Sequence, residues 1–270
     1  MTATSGFVEI EATSRLLRIE HQWIARERGN APLIVFLHEG LGSVSMWKDF
    51  PQLACDATGC RGLVYSRPGY GRSTPRPPDE GWAIDFMHRQ AYDVLPALLR
   101  ALGVDTATDR PWLFGHSDGG SIALLHAARF PAQVAGTIVM APHIMVEAFG
   151  LESIRAAREA YHHGTLCAGL ARHHDDPDSA FTGWNDIWLA PAFVAWNIET
   201  ELTNIRCPLL AIQGEDDPYG TMAQIDGILA RAPQTELVKL PSCGHSPHRD
   251  QPEAVMAAAS RFIQRHPSWT

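Results

Sequence analysis

The sequence predicts an α/β protein, with a mostly parallel sheet flanked by helices and a helical segment inserted late in the chain. Three observations predict it. Short apolar runs recur without polar alternation, as strands buried on both faces require. Stretches with helical spacing of apolar residues lie between them, as needed to cover such a sheet. One interval, from Met140 to Leu209, is too long to be a plain loop inside a compact domain.

The elements follow in order. Residues 6–28 alternate loosely and hold two candidate antiparallel strands. Residues 32–37 read as a buried strand ending at His38, and 63–65 as a second, followed by a turn-rich stretch over 67–73. Residues 112–114 form a third run ending at Gly115, and 137–140, 209–212 and 237–240 supply three more. Residues 91–102 and 121–129 carry helical spacing. The interval 143–205 is rich in Trp, His and short helical patterns, and is expected to form a cap over the carboxyl edge of the sheet. The core is then 1–142 together with 206–270.

Composition bounds the function. Hydrophobic residues make up 45% of 270 and charged residues 19%, the balance of a soluble chain with a sizeable core. A net charge of −8 argues against nucleic acid and anionic membranes, which need clustered Lys and Arg. No apolar run approaches the ~18 to 20 residues that cross a bilayer. The polar, acidic stretch from Met1 to Glu11 is not a signal peptide by pattern. The five cysteines are odd in number and lack a paired framework, so reduced thiols in a cytoplasmic protein are expected. Cys243 is expected to be a buried structural thiol. The partner expected is a small-molecule substrate, and monomer or homodimer stays open.

The strongest chemical signal is Gly115-His116-Ser117-Asp118-Gly119-Gly120. It follows a strand and precedes a helix, the context in which G-x-S-x-G becomes a nucleophile site. The glycines permit a sharp turn that lifts the hydroxyl into the open, and the helix start offers N–H groups to a developing negative charge. A serine hydroxyl needs a base. His245 directly follows the Gly after the last strand and is preferred to His248, which opens toward the next helix. An acid should follow the strand at 209–212, where Glu215, Asp216 and Asp217 crowd one turn. The order Ser, acid, His is that of this architecture.

From Leu33 onward the chain resembles the α/β-hydrolase superfamily. His38-Glu39-Gly40-Leu41-Gly42-Ser43 resembles its oxyanion loop, 67–73 its Gly-rich turn, and Gly115 to Gly119 its nucleophile elbow. Gly214-Glu215-Asp216-Asp217 resembles its acid loop and Gly244-His245 its histidine loop. The acid of the family stands three residues after the Gly, which implies Asp217 rather than Asp216. The resemblance also implies an oxyanion hole from the N–H groups of Gly40 and Asp118. Two departures stand out. Glu39 replaces the usual Gly after the histidine, and Ser66 stands where an Asp often precedes the Gly-rich turn, for which only a local hydrogen-bond change is expected.

What the resemblance implies is an ester hydrolase acting on a small molecule, with Ser117 as nucleophile, His245 as base and Asp217 as orienting acid, and no cofactor or metal. Hydrolysis of a carbon–carbon bond or a lactone by the same triad is the nearest alternative, and a non-catalytic ligand-binding protein of this fold a second. The Ser-Asp-Gly-Gly elbow and Gly-Tyr-Gly-x-Ser turn are similar to those of biphenyl-hydrolase-like esterases of the valacyclovir-hydrolase type. That implies Asp118, helped by Glu39, as receptor for an α-amino group. An acid in a first helical turn is equally accounted for by the helix dipole. Trp184, Trp188 and Trp196 recur at intervals of four and eight, a helical stripe that can pack the cap and roof the pocket at once. With Glu39 and Tyr219 they complete the substrate-binding candidates. His173-His174-Asp175-Asp176 is expected to be a solvated loop rather than a metal site, because adjacent helical residues do not share a face.

Overall fold

The computed structural model describes residues 4–267. Eight strands form one sheet: β1 (Thr4–Ala12), β2 (Arg15–Ile24), β3 (Leu33–Leu37), β4 (Arg61–Tyr65), β5 (Trp112–His116), β6 (Gly136–Met140), β7 (Leu209–Gly214) and β8 (Thr235–Leu240). Their order is β1-β2-β4-β3-β5-β6-β7-β8. The hairpin β1–β2 is antiparallel and joins β4 antiparallel, while β4 through β8 run parallel.

Successive residues of the central strands alternate between two cores. Leu33, Val35, Leu37, Leu113 and Val139 face one core with Met87, Leu98, Ile122 and Leu125. Ile34, Phe36, Phe114, Ile138 and Met140 face the other, packed against Phe50, Ala54, Val255 and Phe262. Burial on both faces is why these strands read as continuous apolar runs.

The helical stretch expected over 91–102 begins earlier and is not uniform. An α-helical turn (Phe86–Arg89) opens into a π-helical turn (Gln90–Val94) before the α-helix Leu95–Ala101. Pro96 cannot donate to the helix ladder and its ring crowds the carbonyl one turn back, which a widened turn relieves. Between β6 and β7 the chain adds the helices Ala148–His162, Thr165–Leu170, Pro177–Trp188 and Glu199–Leu202 and the short turn Pro191–Ala195. Met145 and Asn197 pair across the neck of this insertion. No helix among the described residues is long and apolar enough to cross a membrane.

The His173-His174 loop is not simply solvated. His174 is buried; its Nδ1 accepts from the Gly71 N–H at 2.8 Å, and its Nε2 lies 3.0 Å from the Leu41 carbonyl oxygen. One ring thus ties the insertion to two core loops. The five cysteines are unpaired, and burial pushes the Cys243 thiol up to about 11.

Candidate active site

The carboxyl ends of the parallel strands deliver the site. β5 ends just before Ser117, whose φ of 53° and ψ of −122° form the sharp turn into the helix Asp118–Arg129. Only glycine fits at two flanking positions. A Cβ on Gly115 would stand 2.3 Å from the Gly119 carbonyl oxygen, and one on Gly119 only 2.0 Å from that of Leu37. The Ser117 N–H donates to the Met140 carbonyl at 2.9 Å, which fixes the turn to β6.

The structure brings Ser117, Asp217 and His245 together. His245 Nε2 lies 2.9 Å from Ser117 Oγ, and its Nδ1 lies 2.9 and 2.8 Å from the two Asp217 oxygens. The Asp217 carboxylate also accepts from the Tyr219 N–H at 2.8 Å and the Gln213 amide at 2.6 Å. Burial works to raise the Asp217 carboxyl, but the His245 contact and the Tyr219 N–H outweigh it and hold it below the usual carboxylate value. Asp216 is exposed. His248 does not approach the serine. It packs 5.2 Å from both the Trp47 and Phe50 rings, neither ring nitrogen has a partner, and burial lowers it to about 2.

A cavity of about 210 Å³ opens over Ser117. Glu39, Gly40, Asp118, His143, Trp184, Trp188 and Tyr219 share its wall with His245. Gly40 is pressed against the Trp184 indole so closely that a Cβ would sit 2.2 Å from Nε1. The Asp118 N–H heads its helix and has no carbonyl one turn earlier to bond. Tyr219 stacks at a tilt 4.6 Å from the His245 ring.

Trp196 departs from its expected place. It is absent from the cavity wall and packs behind Trp188, stacked 5.3 Å from Phe193. The helix ends at Trp188, and the turn at Pro191 carries the chain away, so the eight-residue interval does not keep Trp196 on one face.

The carboxylate of Asp118 is buried, with Oδ1 hydrogen-bonded and Oδ2 facing a cation but accepting no hydrogen bond. Arg67, also 1% exposed, stands 3.7 Å from Oδ2, and the Trp188 indole N–H donates to Oδ1 at 3.2 Å. Burial raises the Asp118 carboxyl, with Arg67 and Trp188 pulling against it. Arg67 is held in turn by the Glu39 carbonyl at 2.8 Å and lies 4.7 Å over the Tyr70 ring. Glu39 faces His116 at 3.6 Å and Arg249 at 3.5 Å. Burial opposes its charge, but His116 and then Arg249 hold it well below the usual range. Its backbone accepts from His38 Nδ1 at 2.7 Å, while His38 Nε2 accepts the Arg67 N–H at 2.9 Å. Ser66 replaces an acid with two hydrogen bonds, accepting from the Val44 N–H at 2.9 Å and donating to Glu20 at 2.7 Å.

Sequence reasoning missed His143. It is buried on the cavity wall, 5.0 Å from the Trp188 ring and 5.8 Å from that of His245, and burial and His245 lower it to about 3. The signal was positional: it follows the end of β6 by three residues, at the sheet edge that carries the other site residues.

Residues 34–259 match the model of a family described as the alpha/beta hydrolase family. The chain is 25% identical to a 2-succinyl-6-hydroxy-2,4-cyclohexadiene-1-carboxylate synthase of Enterobacter sp. (strain 638), covering 86% of this chain and 92% of that one. It is 27% identical to the human serine hydrolase BPHL over 73% of this chain and 67% of that protein. Among solved structures, a carboxylesterase of Nitrososphaera gargenis superposes with a TM-score of 0.75 at 21% identity, covering 97% of this chain and 99% of that one. That likeness shows the fold.

Proposed function

The chain belongs to the alpha/beta hydrolase family, and on that premise we propose that it hydrolyses a small, uncharged carboxylic ester through an acyl-enzyme on Ser117. The observation that carries this is the continuous relay from Ser117 Oγ through His245 to the buried Asp217 carboxylate. Ser117 Oγ attacks the acyl carbon as His245 Nε2 takes its proton. The N–H groups of Gly40 and Asp118 bind the oxyanion. His245 returns the proton to the departing alcohol, and a water, activated by the same imidazole, releases the acid. The reaction needs no metal or cofactor.

The wall carries two carboxylates, Glu39 and Asp118, each facing an arginine of the protein within 3.7 Å, and that internal pairing supports an uncharged acyl group. No Lys or Arg lines the cavity among the described residues, which disfavours the carboxylate-bearing compounds in the name of the synthase relative. Arg67, 3.7 Å from Asp118 Oδ2, already supplies that carboxylate with a counter-charge from within the protein, which weakens the case for an ammonium receptor there. The inserted helices act as the cap, since Ile154, Trp184 and Trp188 roof the cavity. Carbon–carbon cleavage would use the same relay, but the wall offers no Lys or Arg to an anionic substrate of that reaction.

The test is kcat/KM for matched esters with uncharged, ammonium-bearing and carboxylate-bearing acyl groups, in wild type, Ser117→Ala and Asp118→Ala. Uncharged esters should lead, and Ser117→Ala should cost several orders of magnitude. A tenfold preference for the ammonium esters that vanishes in Asp118→Ala would replace this reading with the amino-ester one. Turnover of none of the three, with carbon–carbon substrates cleaved, would overturn it.

A further inference from the structure

A second cavity, of about 380 Å³, shares no wall residue with the one over Ser117. It lies between the turn joining β1 to β2, the stretch 74–83 and the helical segment that widens at Gln90. Leu17, Trp82, Phe86 and Val94 make its wall largely apolar.

Two polar groups on this wall lack the partners their burial demands. Arg76 is 8% exposed, yet its guanidinium meets only uncharged acceptors, the carbonyls of Pro77 and Glu80 and the Thr182 hydroxyl. Its Nε has no partner, and no carboxylate among the described residues comes within ion-pair distance of it. A buried cation without a counter-charge is costly. Gln90 is 6% exposed and its Oε1 is buried without a hydrogen bond. It opens the π-helical turn, an irregularity frequent at functional sites. Arg15 and Arg89 also reach the wall, but each is paired, Arg15 with Glu80, the single carboxylate there, at 2.6 Å and Arg89 with Asp85 at 3.0 Å.

We propose that this cavity is a binding site for a small molecule with an apolar body and a single carboxylate. The body packs against Leu17, Phe86 and Val94. The charge answers Arg76, whose field is strong because the surroundings are poorly screening. One uncompensated buried cation and an apolar wall favour a monoanion over a phosphate dianion.

The probes are octanoate and octan-1-ol, with binding to the full-length protein followed by calorimetry. Octanoate should bind at least tenfold more tightly than the alcohol. Arg76→Gln should abolish that preference while leaving alcohol binding in place. Because Arg76 also holds the carbonyls of its own loop, a second variant is needed. Ala83 is exposed on the cavity wall, and Ala83→Trp should weaken octanoate binding at least tenfold without disturbing the fold. Equal affinity for the two probes in the wild type would overturn the proposal. So would octanoate binding unchanged by Ala83→Trp, which would put the ligand elsewhere.

Discussion

Arg67→Met tests whether the Arg67–Asp118 pair is an internal charge balance. Arg67 and Asp118 are both 1% exposed and stand 3.7 Å apart. At an effective dielectric of about 20, Coulomb attraction at that separation is roughly 4.5 kcal/mol. Removing one partner of a buried pair costs about 3–5 kcal/mol, so the two magnitudes agree. For a chain of this size that is a drop in Tm of roughly 6–20 °C. Methionine also forfeits the bond to the Glu39 carbonyl and the contact with Tyr70, so the single variant overstates the pair. The decisive assay is a double-mutant cycle with Asp118→Asn, in urea unfolding followed by tryptophan fluorescence. A coupling of roughly 2–3 kcal/mol is expected, at the upper end for residues in contact. The pH dependence has a defined sign. Asp118 is already raised by burial, and loss of Arg67 raises it further. A carboxyl raised in the folded state favours folding below its unfolded value, near 3.9, and that advantage is lost as pH rises through the folded value. The Arg67→Met deficit should therefore shrink from pH 8 to pH 5. A coupling below about 0.5 kcal/mol, or a deficit that grows on acidification, would refute the reasoning.

Three further outcomes follow from the site. Asp217→Asn should lower kcat by about 10⁴, because the His245 tautomer is no longer held, whereas Asp216→Asn, on an exposed side chain, should change it less than about tenfold; steady-state kinetics separates them. Trp188→Ala should shift acyl-size preference by ~1 to 3 kcal/mol per lost contact. Trp196→Ala should lower the Tm with the preference unchanged, and a shift in preference instead would return Trp196 to the pocket. His248→Leu should leave kcat within about threefold and hold or raise the Tm, because it removes two buried ring nitrogens that have no partner.

The sheet was legible because burial on both faces writes an unbroken apolar run into each parallel strand. The boundaries were less so. β5 extends through Gly115 and His116, residues that no apolar pattern marks, because main-chain pairing with β6 carries the strand on. Ser117 and His245 were legible from local context, each standing just past a strand. Asp217 was not separable from Asp216 by local pattern, since what distinguishes them is which side chain the turn buries. Trp196 misled because helical spacing assumes an unbroken helix, and Pro191 ends that assumption. Arg67 gave no signal as a partner of Asp118. One follows β4 in a loop and the other opens the helix after β5, and only the sheet order makes them neighbours. His174 was hidden for the same reason, its partners being Gly71 and Leu41 in the core.

The backbone of Ser117 carries a further consequence. A residue other than glycine at φ 53° and ψ −122° is held in a sparsely populated conformation that costs about 1–3 kcal/mol. Glycine would release that cost, and alanine would not. Ser117→Gly should therefore melt above the wild type while Ser117→Ala does not, as scanning calorimetry would show. Thermal robustness and turnover are then opposed at one codon. A library of this chain screened only for folded, heat-resistant protein would drift toward glycine at position 117, gaining thermal stability as it lost the hydroxyl proposed as its nucleophile.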